Sequence, residues 1–136
     1  MANDKNIDDT EKLQLIKARK GQGIYRKNVS EIEKVCRATG TSDANFLIAS
    51  HIKPWSKSEN AERLDGHNGL MLAPHIDRLF DRGYISFEDD GGLILSSQLP
   101  DAVRMKWDVV QKNLRIPFSA AQARYLNYHR DVMLKK

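Results

Sequence analysis

The chain has 136 residues, of which 40% are hydrophobic and 29% charged, and its formal net charge is +4 at pH 7. This size and composition are typical of one globular domain that buries roughly two-thirds of the surface of its unfolded chain. They exclude a membrane-spanning helix, because no apolar run approaches roughly 20 residues, and the single cysteine excludes an internal disulfide.

The N-terminal part of the chain is predicted to form two helices. The first covers residues 9–20, with Thr10 as N-cap and Gly21 ending the helix. The second begins near Ile24, and its apolar positions recur at helical spacing (Val29, Ile32 and Val35). No apolar leader precedes them, which indicates a cytoplasmic protein.

A β-hairpin is predicted next, followed by a long loop. Cys36–Gly40 and Asn45–Ser50 form its strands, with turn chemistry at Gly40 and Asp43, and His51 comes at the end of the second strand. Residues 53–68 are rich in polar and turn-forming residues. A loop of this length in a small domain usually has a function.

The second half of the chain alternates helix and strand signals. Residues 69–73 are a short buried strand or a turn, and Pro74 suits the first position of a helix that ends at Gly83. A second hairpin surrounds the D-D-G-G turn of residues 89–92. Two further helices, at about 101–114 and 119–134, complete an α+β fold.

Three residues of the central stretch carry the chemistry that the sequence suggests. A partly solvated His51 at a strand end suits a general base, because the pKa of histidine lies near neutrality. Asp77, in the first turns of a helix, can hold a divalent cation. Asn68 stands in a G-H-N-G turn and is expected to hold the loop, and with it the orientation of His51, by hydrogen bonds to the backbone. In a basic chain, this set favours hydrolysis of a phosphodiester.

Each of these residues also has a purely structural interpretation. A lone His51 is more often structural than catalytic, and Asn68 between two glycines could be a turn residue in the left-handed region. Asp77 and Asp81 could belong to an exposed face with salt bridges around Arg78. The combination, in this order and spacing, favours the catalytic interpretation.

The motifs together resemble the HNH endonuclease family, whose catalytic unit is a ββα-metal fold. The resemblance covers roughly residues 21–130 and is closest to the branch of predicted bacterial restriction-type enzymes. It is carried by the segments G-Q-G-I-Y-R-K, C-R-A-T-G, L-I-A-S-H-I-K-P-W, H-N-G-L-M-L, I-D-R-L-F-D-R-G-Y-I-S-F-E-D-D-G and Y-L-N-Y-H-R.

The resemblance implies a role for each site residue. His51 corresponds to the general base and Asn68 to the central Asn that holds the loop. The family's last metal-binding position, nine residues after that Asn, falls on Asp77, where this chain has Asp in place of His. His75 is an alternative ligand, and Ser50 stands where many relatives have a ligating Asp or His.

The resemblance also implies a cofactor and a partner. An oxygen ligand at Asp77 favours Mg²⁺ or Mn²⁺ over zinc, and Cys36 lacks the partners of a structural zinc site, so it is expected to be a buried hydrophobe. Double-stranded DNA is the expected substrate, bound through phosphates. The expected DNA-binding residues are basic side chains of the loop and of the following helix: Lys53, Lys57, Arg63, Arg78 and Arg82.

The implied organisation is an N-terminal helical extension (1–20) and an HNH domain (21–136) whose catalytic core covers about 34–83. A bacterial or phage restriction or defence system, a homodimer and a separate recognition domain all suit this class. Two rival interpretations stay open. One is a catalytically inactive DNA-binding module with an HNH-like fold, and the other is a structural domain whose basic surface meets an acidic partner.

Overall fold

The computed structural model describes residues 2–112 and 115–136, with side chains from residue 9 onward. The helices are α1 (Ala2–Ile32), α2 (Asn60–Leu64), α3 (Pro74–Asp81), α4 (Asp101–Lys106) and α5 (Ala120–Tyr128). The strands are β1 (Ile48–His51), β2 (Gly69–Leu72), β3 (Ile85–Phe87) and β4 (Leu93–Leu95). Short 3-10 turns at Ala44–Phe46 and Trp55–Lys57 and a π-helix at His129–Met133 complete the elements.

The predicted α+β class is confirmed: two small antiparallel hairpins are flanked by helices. In the first hairpin β1 pairs with β2 so that His51 lies opposite Gly69 and Ser50 opposite Leu70. In the second, β3 pairs with β4. α3 packs on β1, and α1 packs on both strands of the first hairpin, so the hairpin, the loop between its strands and α3 form a ββα unit.

The prediction of two N-terminal helices was wrong, because α1 runs through Gly21 and Gly23 without a break. A glycine inside a helix costs only about 1 kcal/mol relative to alanine. Burial of Tyr25 and Val29, which are 3% and 0% exposed, anchors the C-terminal half of α1 on the hairpin and outweighs that cost.

The prediction of a strand at Cys36–Gly40 was also wrong. This segment folds back on itself, since the Gly40 amide donates to the Cys36 carbonyl and the Cys36 amide donates to the Thr41 carbonyl. Gly40 has the left-handed φ of 82° that the turn requires. The true partner of β1 is therefore β2, from the other end of the long loop, and Cys36 is fully buried.

The predictions for the second half of the chain are largely confirmed. α3 begins at Pro74, buries Ile76, Leu79 and Phe80, and ends before Gly83. The D-D-G-G hairpin forms as expected, and the last predicted helix is present as α5 and the π-helix. The helix predicted at 101–114 is shorter, because Asp108 adopts a φ of 54° and buried Val109 turns the chain inward. Residues 113 and 114 of that prediction lie outside the described residues.

The core joins both hairpins. Its largest fully buried side chains include Phe80 of α3, Phe87 of β3, Leu70 and Leu72 of β2, and Leu126 of α5. None of the described helices is long and apolar enough to cross a membrane.

Candidate active site

His51 lies at the end of β1, between two aromatic rings. The Tyr25 ring of α1 stacks on it with a centroid distance of 3.7 Å and an interplanar angle of 6°. The Trp55 ring meets it edge-on at 5.9 Å. The strand fixes the backbone of His51 and the two rings limit the rotation of its side chain, so the imidazole has a defined orientation.

A single hydrogen bond determines which nitrogen of His51 is free to act. Nε2 lies 3.0 Å from the carbonyl oxygen of Arg63. A carbonyl can only accept, so Nε2 carries the hydrogen and donates it, which leaves the lone pair of the neutral ring on Nδ1. Nδ1 has no hydrogen-bond partner within the part of the chain that the structure describes.

The surroundings of His51 also keep the ring neutral near pH 7. Burial lowers the pKa of His51, the bond to the Arg63 carbonyl opposes this, and the charge of Arg63 adds a smaller lowering. A histidine with a lowered pKa holds its base form at neutral pH, as a general base requires.

Asn68 is fully buried and joins distant parts of the loop between β1 and β2. Its Oδ1 accepts from the Lys53 amide at 2.8 Å, and its Nδ2 donates to the Glu62 carbonyl at 3.1 Å. Glu62 directly precedes Arg63, whose carbonyl holds His51. The side chain of Asn68 therefore fixes the segment that orients the imidazole.

Tyr25 connects α1 to the same arrangement through its hydroxyl, which donates to the Asn68 carbonyl at 2.7 Å. This approach needs glycine at position 69, because a Cβ there would lie 2.2 Å from the Tyr25 hydroxyl oxygen. Burial, followed by the charges of Asp65 and Asp77, raises the pKa of Tyr25. The charge of Asp77 therefore acts on the Tyr25 hydroxyl.

Ser50 and Asp77 form the second part of the site. The buried Ser50 hydroxyl donates to Oδ1 of Asp77 across the contact between β1 and α3. Burial raises the pKa of Asp77, the bond from Ser50 opposes this, and the nearby charge of Asp81 adds to it. A carboxylate that the fold leaves short of stabilising partners is well suited to a cation.

The donor set fits a hard cation better than a soft one. Among the described residues, no group of three or more His, Cys, Asp or Glu side chains is placed to hold a metal ion. Ser50 and Asp77 supply two adjacent oxygens. Mg²⁺ needs only one or two carboxylates and keeps several waters, so Ser50 and Asp77 are the residues that would hold such an ion, while zinc would require more nitrogen or sulfur ligands.

His75 lies apart from the Ser50–Asp77 pair. Its ring contacts Trp107, just beyond α4, edge-on at 6.3 Å, and its position two residues before Asp77 turns it to a different side of α3. Burial and the charge of Lys112 lower its pKa. The structure joins Ser50 to Asp77 by a hydrogen bond, and it joins His51 to Asn68 through the Glu62–Arg63 backbone and the Tyr25 side chain; His75 contacts neither pair.

A groove of about 460 Å³ opens beside His51. One wall is α1 and the other is the end of β1 with the 3-10 turn that follows the strand. Its lining residues are Ala18, Gln22, Tyr25, Arg26, Ala49, His51 and Trp55. A chain passing along this groove would come into contact with the imidazole.

The five predicted DNA-binding side chains differ in how free they are. Lys53 is paired with Glu62 at 3.0 Å, and the guanidinium of Arg63 lies 4.4 Å above the Trp55 ring while its Nε donates to the Trp55 carbonyl. Lys57 is exposed. On α3 and just after it, Arg78 and Arg82 are exposed and line a separate cleft of about 210 Å³ that also includes Trp107.

Sequence reasoning missed three contributors to the site: Tyr25, the Arg63 carbonyl and Trp55. Trp55 lines the groove and is 45% exposed there. A backbone carbonyl leaves no trace in the sequence. The only signal for Tyr25 was its place in the G-Q-G-I-Y-R-K segment, whose spatial partner could not be derived.

Residues 36–88 match the family model described as HNH endonuclease. The matched segment contains β1, β2 and α3, with Ser50, His51, Asn68 and Asp77, and the match supports the HNH endonuclease family and a nuclease function at the level of the family. No curated protein matches the chain.

Proposed function

We propose that this protein is a metal-dependent endonuclease that hydrolyses phosphodiester bonds of double-stranded DNA. The observation that carries the proposal is the fixed orientation of His51, whose Nε2 is bonded to the Arg63 carbonyl and whose Nδ1 has no hydrogen-bond partner among the described residues. Such a ring is an oriented base with its lone pair on a known atom. The match of residues 36–88 to the HNH endonuclease model independently supports a nuclease function.

In the proposed reaction, His51 Nδ1 takes a proton from a water molecule as the oxygen of that water attacks the phosphorus. The bond between phosphorus and the leaving oxygen breaks, and solvent returns a proton to that oxygen. Asn68 takes no part in the proton transfer. It holds the Glu62–Arg63 backbone and so maintains the orientation of the imidazole.

Asp77 and Ser50 are the residues that would hold the cation, Mg²⁺ or Mn²⁺. When bound, the ion supplies positive charge that neutralises the scissile phosphate and stabilises the leaving oxygen. The raised pKa of Asp77 supports this role, since a carboxylate with few stabilising partners gains most from a cation. His75 would join only if α3 or its side chain moved.

For DNA contact we propose the exposed basic side chains around the site, with Lys57, Arg78 and Arg82 binding phosphates. Lys53 is paired with Glu62 and would bind a phosphate only after leaving that pair, while Arg63, which stacks on the groove residue Trp55, would contribute through its charge. We propose residues 21–136 as the nuclease domain, with residues 1–20 as its helical extension.

A restriction-type role in a bacterial or phage defence system, in the cytoplasm, is the biological setting we propose. One site of this kind cuts one strand in each engagement, so cutting both strands would require a homodimer or two visits. Sequence choice would come from a separate recognition domain.

The proposal is tested by incubating the full chain with supercoiled plasmid in Mg²⁺, in Mn²⁺ and in EDTA. We expect conversion to open-circle DNA with either metal and none in EDTA. A chain that binds the plasmid but cuts it with neither metal would contradict the proposal and favour the DNA-binding module.

A further inference from the structure

α1 contributes most of the wall opposite His51, although it lies outside the matched residues 36–88. Ala18, Gln22, Tyr25 and Arg26 line the groove from this helix. Only Tyr25 among them is deeply buried in the core. The exposed amide of Gln22 therefore faces space that a ligand of the site can occupy.

The same face of α1 continues beyond the groove toward the N-terminus. A second recess, of about 360 Å³, lies along Glu11, Gln14, Leu15 and Ala18. Ala18 belongs to both recesses, and the spacing of 11, 15, 18, 22 and 25 keeps one side of a helix in line. The open surface beside His51 thus extends along about four turns of α1.

A row of basic residues follows one flank of this face. Lys12, Arg19 and Arg26 are seven residues apart, so they lie on one side of the helix at intervals of about 10.5 Å. Arg26 lines the groove, and its guanidinium donates to the Ala44 and Leu47 carbonyls. Lys12 and Arg19 are exposed and have no ion pair with any described residue.

The opposite side of α1 offers an internal comparison. Lys20 and Lys27 are also seven residues apart and also exposed. They lie about 100° around the helix from the Lys12–Arg19 row, away from the groove. The two pairs have the same charge and similar exposure, and they differ in whether they adjoin the path to His51.

Resting on the proposed function, we propose that α1 is the second wall of the DNA groove. In this arrangement Lys12 and Arg19 bind phosphates of the strand that reaches His51, and Gln22 contacts a nucleotide next to the scissile phosphate. Charge complementarity and the continuity of the two recesses with His51 support duplex DNA as the occupant.

The test compares two double charge reversals in a His51→Ala chain, which is expected to bind without cutting. The first combines Lys12→Glu with Arg19→Glu, and the matched control combines Lys20→Glu with Lys27→Glu, so both lower the net charge equally. Fluorescence anisotropy with a labelled DNA duplex measures affinity over a range of salt concentrations. Circular dichroism verifies that the helix persists in each variant. A third variant, the neutral pair Lys12→Gln with Arg19→Gln, removes the two positive charges without placing new negative charges beside Glu11.

We expect the first pair to weaken binding by at least about tenfold and to reduce the slope of log affinity against log salt by about two. The neutral pair should show the same salt effect, and the control pair should change affinity by less than about threefold. Equal losses for both reversals, or no binding by the parent chain, would overturn the inference.

The outcomes also separate this inference from the proposed function. If the natural chain never nicks plasmid but binding still depends on the Lys12–Arg19 pair, the nuclease assignment fails and the groove stands. If the chain nicks plasmid and the two reversals behave alike, only the role of α1 fails.

Discussion

The Tyr25 ring of α1 lies parallel to the His51 imidazole of β1, with centroids 3.7 Å apart, and its hydroxyl donates to the Asn68 carbonyl. One side chain therefore contacts both the candidate base and the residue that holds the loop. This relationship joins the N-terminal helix to the ββα unit at the point where chemistry is proposed.

Replacing Tyr25 should change the pH dependence of the reaction. Burial is the largest cause that lowers the pKa of His51, so Tyr25→Leu, which admits water, should raise that pKa toward its ordinary value. The ring would then stay protonated to higher pH, and the acidic limb of the rate profile would move upward. Tyr25→Phe keeps the stacked ring and is the control. Identical profiles for the Leu variant and the natural chain would contradict this account.

Asn68→Ala should destabilise the fold as well as the site. The change leaves the Lys53 amide and the Glu62 carbonyl without their buried partner. The expected loss is about 1–3 kcal/mol in the free energy of unfolding, measured by urea denaturation. Asn60→Ala, at an exposed position of α2, is the matched control. Equal stability of the two variants would show that the Asn68 hydrogen bonds do not stabilise the loop.

Asp77→Asn should stabilise the metal-free protein and abolish cleavage. Because burial raises the pKa of Asp77, the fold disfavours its charged form at neutral pH, and a neutral isostere that still accepts from Ser50 removes that cost. We expect a higher melting temperature in EDTA and a loss of nicking of more than about a hundredfold. Asp131→Asn, at an exposed position, should alter neither. A lower melting temperature of Asp77→Asn would refute the expected stabilisation, and retained nicking would refute the role of Asp77 in cleavage.

His129 should make the protein sensitive to acid. Burial lowers the pKa of His129 to about 4, and the ring is held between the Ser86 hydroxyl and the Phe80 carbonyl. The unfolded chain binds this proton at an ordinary pKa near 6.5 and the folded chain does not. Stability is therefore full above about pH 6.5 and falls by about 3 kcal/mol as the pH drops to about 4.

Urea denaturation of the natural chain and of His129→Gln across this pH range measures that contribution. The carboxylates titrate in both proteins and contribute equally to the two curves. The variant lacks the buried histidine, so its unfolding free energy should depend less steeply on pH. Parallel curves would exclude His129 as the source.

The sequence predicted α3, the second hairpin and the α+β class because local signals and tertiary packing agree there. Pro74 begins a helix whose apolar positions are all buried, and the D-D-G-G turn joins two apolar strands. It did not predict the partner of β1, because pairing across the long loop depends on contacts between distant residues. The Cys36–Gly40 segment contained strand-like and turn-like residues, and the turn prevailed.

The candidate site shows the same division. His51, Asn68 and Asp77 could be named because their side chains carry recognisable chemistry at a recognisable spacing. The Arg63 carbonyl could not, since any residue supplies one. Tyr25 could not be assigned to His51 because α1 meets the hairpin only in three dimensions, with Gly69 providing the space.

The most direct measurement is the rate of plasmid nicking by four alanine variants, all in Mg²⁺ or Mn²⁺. Two are at His51 and Asp77, one is at His75, and the last is at His67, a partly exposed side chain whose ring contacts Asp65. The account predicts a loss of about 10²–10⁴-fold for His51→Ala, the usual contribution of a general base, a comparable loss for Asp77→Ala, and near-natural rates for the other two. Natural nicking by His51→Ala, or by Asp77→Ala while His75→Ala is inactive, would contradict it.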